Sequence, residues 1–320
     1  MSSTAVGEKK QADETPKKSN KGFARISEFR PYALLVILSI IWGIAFAAIS
    51  VADQLLSPVN LTLLRWFIAS AGYLAIFPFL GRLKTKFEMK DLPRLLIISF
   101  ANVPLYHLSL NYGETAVSAG VAGLLVSLGP VFIVLLSRVS LKEKIGKRLA
   151  IALIVATLGT IVISIPELNG PVGSLAGVLD VILTAVAYAM FAVLSKPLVS
   201  KYGALSVAIM AGTIGTLMLL PLLSRSFIAQ VASLPPMGWL SVLYLSILST
   251  VLGYSMFYTL VSRGTVSRLS VQLYLIPIIS VISGALLLGQ AITPYVIAGG
   301  AALLFAVAIA TRSTRSQSKK

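Results

Sequence analysis

Three side chains stand where charge is costly. Arg65, Asp180 and His107 each fall inside a long apolar run, and a charge at the centre of a bilayer costs about 3 kcal/mol on insertion scales. Arg65 can grip a carboxylate through two parallel N–H bonds. Asp180 can hold an ammonium or carry a proton. A structural ion pair competes with both roles: Arg65 and Asp180 would neutralise each other and pin two parts of the chain together. His107, the single histidine, reads as a hydrogen-bonded imidazole rather than a proton relay. Glu114 reads as a solvated turn residue or a helix-start charge beside Thr115.

Aromatic and amide groups join them. Trp42, Tyr106, Tyr188, Tyr254, Tyr258, Gln272 and Tyr274 lie within the apolar runs, not at the interfacial belt that Trp and Tyr usually occupy. Their indole, phenol and amide groups need partners. A wet central cavity supplies partners, and so do hydrogen bonds between helices. Gly43, beside Trp42, leaves room for another helix or for a ligand.

The elements that must position these groups are membrane-spanning helices. Hydrophobic residues make up 57% of the 320 and charged residues 12%, against about 45–50% and about 25% in soluble domains. A soluble surface at this size could not be covered with so few polar residues. The run between Arg30 and Asp53 holds 22 uncharged residues. A helix crosses the hydrocarbon in roughly 20, whereas the apolar region of a signal peptide runs about 7–15. This run is read as a first permanent span. Ten apolar segments follow one another: 32–52, 58–80, 95–112, 115–137, 149–166, 174–195, 204–224, 238–261, 267–289 and 293–311. With no cysteine, disulfide and thiol chemistry are excluded.

Lysine and arginine give the orientation. With the N-terminus inside, 25 of the 27 basic residues fall on inner segments, leaving Arg225 outside and Arg65 within a span. The net charge of +16 is therefore a topology signal with contact to anionic lipid heads, and nucleic acid is not an expected partner.

The chain also repeats. Pro130, followed by Glu143, matches Pro277, followed by Gln290, at a shift of 147. Phe46-Ala47-Ala48-Ile49-Ser50 matches Phe191-Ala192-Val193-Leu194-Ser195 at a shift of 145. Five spans per half is an odd number, so the second half enters the membrane from the opposite side. Such inverted repeats are a ground plan of secondary transporters, with the site near midplane between the halves. The expected architecture is all-α and integral to the membrane: ten transmembrane helices as two inverted five-helix repeats. A disordered cytoplasmic tail covers 1–30, the repeats cover 31–167 and 174–311, and a second tail covers 312–320. Paired prolines in corresponding spans mark Pro130 and Pro277 as hinges. Ser280 and Gly284 are expected to pack span nine closely, against span four.

On these residues the sequence resembles the EamA type of the drug/metabolite transporter superfamily. Trp42-Gly43-Ile44-Ala45-Phe46 carries the resemblance in span one and Leu64-Arg65-Trp66-Phe67-Ile68-Ala69 in span two. Ala119-Gly120-Val121-Ala122-Gly123-Leu124-Leu125-Val126-Ser127-Leu128-Gly129-Pro130 carries it in span four, with Leu141-Lys142-Glu143 in the loop beyond. The resemblance covers about 32–311 and implies ten helices, cytoplasmic termini and export or exchange of small metabolites. Three positions depart from the pattern. Gln290 stands where a glutamate is frequent, Ser50-Val51 where a lysine is frequent, and span one lacks the glutamate that small multidrug-resistance relatives use for proton coupling. Coupling of that kind is not expected.

The function expected is a secondary transporter of the plasma membrane. It moves a small amphipathic or zwitterionic metabolite, such as an amino acid, by alternating access. The runner-up is an organic-phosphate or nucleotide-sugar exchanger, which would call for several cavity cations where only Arg65 is deep. An intramembrane enzyme lacks parts, since there is one histidine, no cysteine and no His-Glu-x-x-His. No carbonyl-filter motif suggests a channel. No cofactor or metal is expected, and the partners are the substrate and membrane lipid, with a monomer sufficient.

Overall fold

The computed structural model describes residues 21–80, 86–129, 174–262 and 266–317, with scattered positions between 131 and 165. Among the described residues every regular element is helical. α1 spans Lys21–Ala52 and α2 Pro58–Leu80. A 3-10 turn, Met89–Asp91, leads into α3, Leu92–Phe100. A π-helical segment, Ala101–Leu105, joins α3 to α4, Tyr106–Glu114. α5 is Ala119–Val126. The chain continues with α6, Ser174–Tyr202, α7, Ala204–Leu219, and the short α8, Arg225–Ala232. α9, Pro236–Leu243, runs through a second π-helical segment, Tyr244–Leu252, into α10, Gly253–Ser262. α11, Val266–Leu288, and α12, Pro294–Gln317, complete the fold.

Among the described residues, five stretches are long and apolar enough to cross a membrane: Ala33–Ala52, Pro58–Ile76, Leu175–Tyr202, Ala204–Leu222 and Pro236–Ser262. Large apolar side chains such as Leu286, Ile297 and Phe305 point outward, as a lipid-facing surface requires. The backbone polar groups inside such a surface must be satisfied within the helix. Ser39, Ser99 and Ser246 satisfy their own hydroxyls by donating to the carbonyl four residues back. Where helices end, side chains and glycine take over. Ser118 Oγ accepts the Val121 N–H at the start of α5. Gly289, at φ +66°, closes α11, while the Gln290 N–H reaches the Gly284 carbonyl at 3.1 Å.

Helices from the two ends of the chain interleave. α1 and α5 pack on α11, α4 packs on α6, and α2 packs on α7 and the second π-helical segment. Two close crossings are set by missing side chains. A Cβ on Gly43 would stand 2.5 Å from Ile279 Cβ, so α1 can meet α11 only with glycine there. Gly123 of α5 meets Ser280 in the same way. The neighbour that Gly43 admits is thus a helix.

A polar cluster ties the 3-10 turn to the end of α6. Lys201 Nζ lies 2.6 Å from Asp91 Oδ2 and 2.7 Å from Glu88 Oε1. The Tyr202 hydroxyl donates to Asp91 Oδ2 at 2.5 Å and accepts the Glu88 backbone N–H at 3.1 Å. Lys201 holds both carboxyls below their ordinary range, by hydrogen bonding first and by charge second.

Candidate functional site

The interleaving leaves a cavity of about 40 Å³ where helices of both chain halves converge. α1 contributes Trp42, Phe46 and Ile49, α2 contributes Arg65, and α4 contributes Tyr106, His107 and Leu110. Tyr188 enters from α6, Ser249 from the second π-helical segment, Tyr254 from α10, and Ile276 and Pro277 from α11. At roughly 10–15 Å³ per water centre, this space holds about three waters. A substrate larger than that requires the helices to part.

Arg65 is 3% exposed. Its Nε donates to Thr250 Oγ1 at 2.9 Å and its Nη2 to Ser249 Oγ at 3.1 Å. Among the described residues the ion pairs all lie in the Lys201 cluster, so no carboxylate neutralises Arg65. The π-helical geometry makes this seat. Its wide turn lets Thr250 Oγ1 donate to the Leu245 carbonyl at 2.8 Å while still accepting from Arg65. It also presents the Ser249 carbonyl to Trp42 Nε1 at 3.0 Å and the Thr250 carbonyl to the Tyr73 hydroxyl at 3.0 Å.

Aromatic rings build much of the remaining wall. Trp42 lies 5.4 Å from Tyr254 and 5.6 Å from Phe257, centroid to centroid. Tyr188 and Phe191 pack edge to face at 5.2 Å. His107 Nε2 and the Tyr254 hydroxyl are 3.2 Å apart, with Trp66 edge-on to the imidazole at 5.2 Å. The combination of one cation, a hydroxyl, an imidazole and aromatic faces suits a ligand with an anionic end and an apolar or cationic end.

Of the residues singled out in the sequence, Trp42, Arg65, Tyr106, His107, Tyr188, Tyr254 and Pro277 line this cavity. Asp180 does not. It sits half-buried on α6, outside the lining, with no ion pair to Arg65, because it stands two helical turns, about 12 Å along the axis, from Tyr188. Tyr258 is fully buried one turn beyond Tyr254, its ring 6.4 Å away and its hydroxyl without a partner. Gln272 and Tyr274 belong to α11, but their side chains lie outside the described residues, as does Pro130. Glu114 is buried, at 6% exposure. The solvated or helix-start reading of it does not hold, because α4 ends against α1 rather than in water. Sequence reasoning missed Ser249 and Thr250. The run Ser246, Ser249, Thr250 within an apolar segment was the available signal.

The EamA-like transporter family model matches twice, over residues 30–165 and 175–312. An "uncharacterized transporter" of Archaeoglobus fulgidus is 32% identical, the match covering 88% of this chain and 99% of that protein. A "probable terminal-alkyne amino-acid exporter" of Streptantibioticus cattleyicolor is 31% identical over 88% of this chain and 93% of its own. A "probable amino-acid metabolite efflux pump" of Escherichia coli is 27% identical over 82% and 87%. A solved crystal structure, 19% identical, superposes with a TM-score of 0.61 and covers 89% of this chain and 98% of that one, which shows a shared fold. The chain is a multi-pass membrane protein of the EamA-like transporter family.

Proposed function

We propose that this protein exports a small zwitterionic or amphipathic metabolite of the amino-acid class across the plasma membrane by alternating access. The observation that carries the reading is Arg65, buried in an aromatic cavity with no ion-pair partner among the described residues. A substrate carboxylate completes its hydrogen bonding. The faces of Trp42, Tyr188 and Tyr254 take the remainder, an ammonium or an apolar side chain. Two relatives named as amino-acid exporters or efflux pumps support the substrate class. A phosphate or nucleotide-sugar substrate would call for more cations than the single guanidinium in the lining.

The proposed architecture is ten spans in two inverted halves with both termini cytoplasmic. Exchanged packing supports it: α1 meets α11 as α6 meets α5, and α2 meets the second π-helical segment as α7 meets α3. Residues one repeat apart also touch. Ser70 and Thr216, 146 positions apart, hydrogen-bond at 2.8 Å, and His107 and Tyr254 are 147 apart. Groups beside a two-fold axis must meet their own counterparts. The small cavity is then the occluded state, and bending near Pro277 of α11, with Pro130 as its counterpart, opens it to either side.

Counterflow into proteoliposomes against an amino-acid and metabolite panel tests the function. Exchange of at least one zwitterion is expected, with markedly slower exchange in Arg65→Ala. A panel with no exchanged zwitterion, or Arg65→Ala kinetics equal to wild type, overturns the assignment. In the natural cysteine-free background, Lys86→Cys is expected to label from inside and Gly170→Cys from outside, and the reverse pattern overturns the topology.

A further inference from the structure

Two carboxyl groups continue the cavity-lining stripes of α1 and α4. On α4, His107 and Leu110 line the cavity, and Glu114 follows at the helical spacing that keeps it on the same face. On α1, Trp42, Ala45 and Ile49 line it, and Asp53 follows at the next step, just past the helix end. Ile49 and Leu110, at 1% and 3% exposure, form the last apolar layer before the acids.

These acids are poorly satisfied. Glu114 Oε2 accepts from Ser50 Oγ at 3.2 Å, while Oε1 is buried without a partner. Both carboxyl oxygens of Asp53 are buried and unpartnered as well. Ser50, the residue that touches Glu114, and Asp53, three positions on, share a face of α1. The other titratable groups acting on Glu114 are Arg65 of α2, through space, and Tyr106 of its own helix. α5 carries no ionisable side chain, and Asp180 of α6 lies outside the cavity lining. Among the described residues no group of three or more His, Cys, Asp or Glu could hold a metal.

Two ionised carboxylates with buried, unpartnered oxygens at neighbouring helix ends are unfavourable on both counts, desolvation and repulsion. One proton resolves both. The retained proton also permits an acid–carboxylate hydrogen bond, which is of the strong kind. We propose that Asp53 and Glu114 form a proton-binding pair at the outer end of the cavity, which latches the outer mouth while it holds one proton and lets it open when both carboxyls ionise. The pair differs from a coupling glutamate within span one, since it lies at the ends of α1 and α4. The inference rests on the proposed topology for which end is outer, and the cysteine labelling at positions 86 and 170 tests that separately.

The test needs no substrate. Ala45→Cys in the full-length protein, in intact cells, is exposed to a membrane-impermeant maleimide at a series of external pH values. Ser233→Cys, exposed on the surface, corrects for thiol ionisation. The corrected Ala45→Cys rate is expected to rise several-fold from mildly acidic to mildly alkaline medium. Glu114→Gln or Asp53→Asn in the same background should hold it low and flat, because a single carboxyl cannot produce the repelling pair. A flat wild-type profile, no labelling at any pH, or a rise that survives both substitutions overturns the proposal. In purified protein at neutral pH, the infrared carbonyl band of a protonated carboxyl should weaken in Glu114→Gln or Asp53→Asn. A band unchanged in both also overturns it.

Discussion

Arg65 donates two hydrogen bonds to hydroxyls and has five N–H groups to place, so its remaining donors define what it can recognise. A hydrogen bond to a charged group contributes about 1.5–3 kcal/mol. Arg65→Ala should therefore lower the rate of exchange at subsaturating substrate by about 10–100-fold. Arg65→Lys keeps the charge but loses the planar fork and should fall between the two, with proteoliposome counterflow as the check. Arg65 and Trp42 were legible in the sequence because a polar group inside an uncharged run has nowhere inexpensive to go. Asp180 satisfied the same rule and still lies outside the lining, because it stands about 12 Å along the axis from Tyr188, the α6 residue that lines the cavity. Ser249 and Thr250 were hard to read for the opposite reason. Hydroxyls in apolar helices are usually satisfied by their own backbone, and nothing in their identity announces a guanidinium.

At the scale of elements, the crossing of α1 on α11 depends on one absent atom. Gly43→Leu places a Cβ 2.5 Å from Ile279 Cβ and also displaces the Ser283 hydroxyl that donates to the Gly43 carbonyl at 3.3 Å. The expected outcome is a loss of at least about 1–3 kcal/mol, seen as a lower unfolding temperature in detergent. Gly72→Ala, whose Cβ would lie 3.3 Å from a Val251 methyl and needs only a few tenths of an ångström of give, should be milder. Helix positions followed from the apolar runs. The two π-helical segments did not, because a change from i→i+4 to i→i+5 bonding leaves no mark in composition. Their placement at Ala101–Leu105 and Tyr244–Leu252, in corresponding segments of the two halves, shows the internal repeat extending to backbone irregularity.

At the scale of the whole molecule, the Lys201 cluster joins the chain halves away from the cavity. Its carboxyls, Glu88 and Asp91, are held below their ordinary range by Lys201. Their contribution to stability is thus complete above the usual carboxylate range near pH 4 and is lost as pH falls through the lowered values. Acid titration of thermal unfolding in detergent should show this loss in wild type and a shallower acid dependence in Lys201→Met. A Lys201→Met profile identical to wild type would remove the cluster from the account. The packing of α1 on α11 has another consequence, one of timing. Ser283 and Gly43 are 240 positions apart, and synthesis proceeds at roughly 5–20 residues per second. The first span therefore spends on the order of ten to fifty seconds in the bilayer before its principal neighbour leaves the ribosome. During that interval lipid or the insertion machinery must keep its glycine-notched face company, so the newborn protein is most vulnerable to misassembly before its last two helices arrive.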